Sequence, residues 1–438
     1  MPSGTANPKM RGDDHEPVLA MSAPTRHRDN PLTRSVTGMI GFAVLVLMFL
    51  ACLGTLPWTL GTAVDASGQS IGVPRYDAGT PIEGRLPPVW VPFDAHDIER
   101  ANQAVDREEL AQVAEANGLT VDELLEGESG ERLELIKPLW PTYVLGSDLL
   151  GRSLAIRLLA GGGISLCIGI AAALLSVTIG TIYGALAAYI GGKVDSLMMR
   201  IVDVLYGLPY ILLVVLLAVA SNAMVDEWVT RAKAKEDWMR SQVVERHALR
   251  GETITRSDAT EELARDPQLR EDLLGEASVR YPARDLSVGK RTALDVVTLL
   301  IAIGGVSWLT MARVIRGQVL SLKNQQFVEA ARAVGSSPVR VFVRHLLPNL
   351  IGPIVVYATL TVPQAILQES FLSFLGIGVK PPLPSWGNLA AEGLGELNTY
   401  RSHWWLLFFP CLLLGITLLS MNFVGEGLRE AFDPKRSR

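Results

Sequence analysis

The most directed residue pattern in the chain lies between Phe327 and Leu350, FVEAARAVGSSPVRVFVRHLLPNL. Glu329, Ala330 and Ala331 belong in a helix. Gly335 breaks that helix in a way that suits a turn or C-cap. Pro338 fits the first turn of a second helix, along which Val339, Phe342, Val343 and Leu346 recur at helical spacing. Leu347 and Pro348 then lead into an apolar run. The chemistry open to such a stretch is docking. Two short helices around a glycine turn, lying flat on a membrane face, can plug a groove on a soluble partner. A second candidate is Glu369, beside Phe371 and Phe374 at the outer end of an apolar run. On its own it reads as an ordinary carboxylate, in interfacial water or against Lys380.

Covalent chemistry finds no purchase in the sequence. The phosphate-cradling pattern G-x-x-x-x-G-K-[ST], the zinc-protease pattern H-E-x-x-H and the nucleophile elbow G-x-S-x-G do not occur. Histidines 15, 27, 96, 247, 345 and 403 are scattered without ligand spacing. Cys52, Cys167 and Cys411 each sit in an apolar run, so neither a disulfide framework nor a zinc site is implied. The chain is therefore read as a non-enzyme with no cofactor of its own. A net charge of −5 offers no basic field for nucleic acid.

The elements that must position these residues are membrane helices. Of 438 residues, 49% are hydrophobic and only 19% charged, and the mean hydropathy is +0.27. A bilayer core needs about 20 apolar residues as helix. Such runs place one span at 35–58 and five more near 164–190, 204–224, 294–313, 346–369 and 402–425. Their centres carry no ionisable group, which argues against an ion-coupled carrier or an intramembrane enzyme. Gly180, Gly184 and Ala188 share one face of the second span, suited to close helix packing within the chain or against a second membrane subunit. The segment 313–345 holds Arg313, Arg316, Lys323, Arg332, Arg340 and Arg344 against the single acid Glu329, and so belongs on the cytoplasmic side. Six spans put both termini there too. That agrees with Lys9, Arg11, Arg26, Arg28 and Arg34 in the leader and with Arg429, Lys435, Arg436 and Arg438 in the tail.

The leader 1–34, rich in Pro, Ser, Asp and Arg, is expected to be disordered. Two long polar segments, 59–145 and 225–292, fall outside and interrupt a core of 146–434. Both read as helical inserts, either plainly solvated or serving to dock an external partner. In the first, Thr120 and Glu123 form a capping-box pair.

The 327–350 stretch resembles the EAA loop of ABC-importer permeases. Glu329-Ala330-Ala331, Gly335 and His345-Leu346-Leu347-Pro348 fall at that loop's spacing, and Arg344, His345, Pro348 and Asn349 resemble the peptide and nickel branch. Other stretches are similar to that branch's C-type subunits in the same order. They are Leu145-Gly146-Ser147-Asp148 with Leu150-Gly151-Arg152; Gly191-Gly192, Asp195, Met199-Arg200 and Asp203; Arg316-Gly317-Gln318; Ser373-Phe374-Leu375-Gly376 with Pro381-Pro382 and Ser385-Trp386-Gly387-Asn388; and Gly427-Leu428-Arg429 with Asp433-Pro434. Ser147 stands where Thr is usual, and both inserts are longer than the family's loops.

The resemblance implies an all-α membrane protein with the type I ABC-importer permease fold, six transmembrane helices and two extracytoplasmic inserts, in a bacterial inner membrane. It implies partners: a second, B-type permease subunit, two ATPase subunits that bind ATP and Mg, and an extracytoplasmic solute-binding protein. Glu329 to Gly335, with Arg344, His345, Leu347 and Pro348, would form the ATPase-coupling loop. The cargo implied is a di- or oligopeptide, with nickel or another small solute as the alternative, and Glu369 could then line the pathway and meet a peptide's amino terminus. A secondary transporter and a membrane scaffold are the readings from other classes.

Overall fold

The computed structural model describes residues 36–64, 68–125, 131–281, 288–398 and 401–432. The leader 1–34 and the Asp433–Pro434 end lie outside them.

The first helix, α1 (Val36–Gly54), is continued after a bend by α2 (Leu56–Thr59), with Pro57 at its start. The first insert then departs from the helical expectation. β1 (Thr62–Val64) pairs antiparallel with β2 (Ser70–Pro74). Thr62, Val64, Ile71 and Val73 are β-branched and fit a pleated ribbon better than a helix turn. Helices α3 (Ala95–Ala104), α4 (Arg107–Ala116), α5 (Val121–Leu125) and α6 (Glu131–Ile136) follow. They close over Leu110, Ala114, Leu124 and Ile136. The expected cap is present: the Glu123 N–H donates to Thr120 Oγ1 at 3.3 Å, and the Thr120 N–H to Glu123 Oε2 at 2.8 Å.

The membrane region centres on α7 (Leu154–Ile190). The residues after it, which separate the expected spans 164–190 and 204–224, form α8 (Gly192–Tyr206). The chain then bends by 88° into α9 (Tyr210–Leu249). Pro209 causes the break: it has no N–H to donate and disfavours helix at Leu208. From Tyr210 to Leu249 neither Gly nor Pro occurs, so the helix runs straight through 225, where an insert boundary was expected. Helices α10 (Arg256–Arg265) and α11 (Pro267–Arg280) fold back on it around Met239, Val243, Ala259, Leu263, Leu273 and Ala277.

Next come α12 (Val288–Leu322), α13 (Gln326–Ala333), α14 (Pro338–Val341), α15 (Leu347–Phe374), α16 (Trp386–Gly395) and α17 (Trp405–Phe432). Among the described residues, five helical stretches are long and apolar enough to cross a membrane: Val36–Thr59, Leu154–Ile190, Ala293–Leu322, Pro338–Phe374 and Trp405–Glu430. The bent α8–α9 pair would be a sixth. α12 outruns its expected end near 313 and carries Arg313 and Arg316 with it.

Helix α7 packs against α1, α12, α15 and α16. A Cβ on Gly184 would stand 2.2 Å from the Ala312 carbonyl oxygen, and one on Gly180 2.6 Å from Met311 Cβ. Those glycines let α7 and α12 approach backbone to backbone, so the small-residue face is occupied within the chain. Cys52 is buried among apolar neighbours, while Cys167 and Cys411 face outward from apolar helices.

Candidate functional site

The Phe327–Leu350 stretch forms one anchored unit. Gly335 adopts φ +82°, a conformation that costs a residue with a Cβ about 1–2 kcal/mol. It closes α13 as the pattern requires: the Gly335 N–H donates to Arg332 O at 2.9 Å and the Ser336 N–H to Ala331 O at 3.1 Å. On the inner side, Val328, Val341 and Leu346 are fully buried with Ile315, Val319 and Leu350. Tyr189 at the end of α7 donates to Pro338 O at 2.8 Å and sets its ring against Phe342. The outer side is apolar and open: Val334 is 86% and Val339 73% exposed, with Val343 and Phe327 also exposed.

Glu329 lies in the first turn of α13, where the helix dipole favours a carboxylate. Glu329, Ala330, Gly335, Arg344 and Pro348 are exposed, whereas Ala331, His345 and Leu347 are half-buried. One expectation is corrected. The second helix is not separate from the following span, since Pro338–Phe374 is continuous. Residues Phe342–Leu346 form a π turn, with the Leu347 N–H donating to Phe342 O. Pro348 cannot donate to the carbonyl four residues back, so the widened turn absorbs the missing bond.

Beside this unit, two motifs that looked independent in sequence are paired. Arg316 on α12 grips Asp195 on α8 with two bonds of 2.6 Å. Arg313 reaches Asp203 at 2.9 Å, and its guanidinium lies 3.9 Å from the centre of the Tyr206 ring. Lys323 donates to Ala188 O at 3.1 Å. The basic residues of 313–323 thus fasten α8 and α7 to α12. Planar guanidinium groups suit such bidentate and stacked contacts.

At the far end of the bundle, Glu369 is fully buried. Ser373 donates to it at 2.7 Å and Ser370 at 3.3 Å. Neither open water nor Lys380 is its partner, because α16 closes over it. A Cβ on Gly387 would stand 2.0 Å from Ser370 O, and Trp386 is 0% exposed with its indole donating to Leu158 O.

A charged cluster that the sequence reading missed lies close by. Arg157, 1% exposed, donates through Nη1 to Asp148 at 2.5 Å and to Glu392 at 2.6 Å. Arg152 bridges Asp148 and Asp77 at 2.7 Å each. No motif in the sequence singles out Arg157. Its place four residues into a helix, nine residues after a motif aspartate, was the available signal.

Multi-pass helices around a shared small-residue core, with a helix–Gly–helix unit presented at one end, define a membrane transport subunit. Residues 155–438 match the family of binding-protein-dependent transport system inner membrane components, and the chain belongs to that family. It is similar to the oligopeptide transport system permease protein OppC of Haemophilus influenzae, 37% identical over 293 residues, covering 67% of this chain and 70% of that protein. The dipeptide transport system permease protein DppC of Bacillus subtilis is 36% identical over 293 residues, 67% of this chain and 69% of its own length. OppC of Escherichia coli K12 is 38% identical over 293 residues, with shares of 67% and 72%.

Proposed function

We propose that the chain is one of two permease subunits of an ATP-driven importer of di- or oligopeptides. A solute-binding protein delivers the cargo from outside, and two ATPase subunits bind and hydrolyse ATP with Mg. Peptide cargo is supported by the names of the oligopeptide and dipeptide permease relatives. On this reading α8–α9 is the third of six spans, both termini and the Phe327–Leu350 unit lie in the cytoplasm, and both inserts lie outside.

The observation that carries the coupling role is the two-sided Gly335 unit. Its inner side is fixed by buried Val328, Val341 and Leu346, and its outer ridge of Val334, Val339 and Val343 is free. A partner cleft that grips such a ridge moves the whole bundle, because the second helix is the start of the Pro338–Phe374 span. Closure of the ATPases then tilts the helices as rigid bodies and exposes the pathway to the other side. Glu369 joins that pathway only when the seam of α7, α15 and α16 opens.

The test is Gly335→Asp, with tagged chain, mild-detergent pull-down and uptake assay. The variant inserts normally, hydrolysis proceeds without transport, and the ATPase is lost from the pull-down. Normal peptide uptake by this variant would overturn the coupling role. An unchanged peptide profile in Glu369→Gln would remove that residue from the pathway.

A further inference from the structure

The first insert carries an apolar edge that continues the lipid-facing surface of the bundle. On α17, Phe408, Leu412, Ile416 and Leu419 form an exposed stripe at helical spacing. At the head of that stripe Trp404 is 37% exposed. Trp90 of the insert lies edge-on to it, with ring centroids 6.1 Å apart, and against Phe409 at 6.4 Å. Trp90 is 57% exposed, and its indole N–H donates to Val144 O at 2.8 Å. Val89 and Val144, beside it, are exposed as well.

The neighbouring span ends in the same way. Gly41 of α1 lies against Ser420 and Phe423 of α17. Counting 17 residues on from Gly41 reaches Trp58, and 17 back from Ser420 reaches His403, next to Trp404. Trp58 is half exposed, and Arg75 of the insert stacks on its ring and donates to its carbonyl at 2.8 Å. Three tryptophans thus ring one end of the α1–α17 pair, two closing spans and one borne by the insert. Tryptophan concentrates where an apolar ring and a polar N–H meet lipid and water together.

We propose that the first insert is a collar seated on the bilayer, with Trp90 anchored at the acyl–headgroup boundary beside Trp58 and Trp404. Lipid is the occupant because the edge prolongs the α1–α17 flank. On that flank Val36, Leu47 and Leu50 of α1 stand about two thirds exposed among the described residues. The inference needs only that α1 and α17 cross the membrane; it does not depend on cargo or coupling.

The experiment uses the full chain with its co-purifying partners, with Cys52, Cys167 and Cys411 replaced by alanine, in phosphatidylcholine–phosphatidylglycerol vesicles. Nitroxide labels are placed by Trp90→Cys, Val144→Cys, Leu412→Cys and Gln103→Cys, and their collisions with oxygen and with a water-soluble nickel chelate are measured. Labels at 90 and 144 should favour oxygen, as the span label at 412 does, while the label at 103 favours the chelate. Val144→Cys retains Trp90 and covers the case in which Trp90→Cys disturbs the insert. Chelate access at 90 and 144 equal to that at 103 overturns the proposal. So does loss of both collisions there, restored when partners are stripped, which would mean that a protein covers the edge.

Discussion

The two inserts are attached to the same bundle by different means. The first is stitched to residues far away in sequence. Arg152 reaches Asp77 at 2.7 Å, Arg85 reaches Glu396 at 2.7 Å, and Arg401 reaches Asp94 at 3.5 Å. Ser147, fully buried, donates to Glu83 O and accepts from the Leu86 N–H. The second insert grows out of a membrane helix and closes on itself. Its core joins α9, α10 and α11, and His247 is clasped by Glu252 at 2.6 Å and Glu262 at 2.8 Å. The first insert should therefore share the stability of the core. The second should open as a separate unit, as locally contacted segments do.

The largest effect is expected at Arg157. Arg157→Ala leaves buried Asp148 with Arg152 but not Arg157, strips Glu392 of its bonds to Arg157, and should cost about 3–5 kcal/mol. Thermal melts should show core and first insert falling together, and a variant that loosens only 59–145 would break the link. Leu273→Ala is the matched change in the second insert, where Leu273 is 0% exposed. It should cost about 2–5 kcal/mol locally. Hydrogen exchange should quicken in α9 beyond the membrane, α10 and α11, with α7 and α12 unchanged. Quickening in α7 would show that the second insert is not independent.

Acidity should act on the two in opposite directions. Hydrogen bonding and charge from Arg85, with help from His403, hold the Glu396 carboxyl below the usual carboxylate range. Its stabilisation is present above the unfolded value and is lost as pH falls through the folded one. His403 is itself held below the ordinary histidine range, chiefly by burial, and acts in the same direction. His247 is raised, first by its bond to Glu252 and then by Glu262, so its contribution is complete below the ordinary histidine value. That contribution fades as pH rises through the folded value. Acid should therefore free the first insert and alkali the second. Exchange at 85–100 and at 247–265, followed across pH, checks both signs. The smallest effect is at the Thr120 cap: Thr120→Ala should cost about 1 kcal/mol, visible as faster exchange in α5 alone.

Much of the fold was legible because its causes are local. Runs of apolar residues force helices in lipid, where every backbone group needs a partner within its own segment. The Gly335 turn was legible because αL backbone strongly prefers glycine. The β1–β2 ribbon was missed because two short β-branched stretches carry little periodicity among polar neighbours. The break at Pro209 was passed over because an apolar count sees composition and not the missing N–H. The Glu369 environment was out of reach for another reason: Ser373 and Ser370 are near in sequence, but the lid of Trp386 and Gly387 is not.

The apolar helices, the helix–Gly335–helix unit and the family to which the chain belongs can be read from residues adjacent along the chain or on a fixed period. It takes the packed helices to bring Arg316 to Asp195, to set Arg157 between Asp148 and Glu392, and to seal Glu369. A charged side chain's partner is chosen by proximity after folding. In a buried setting that choice determines whether the charge is tolerated at all.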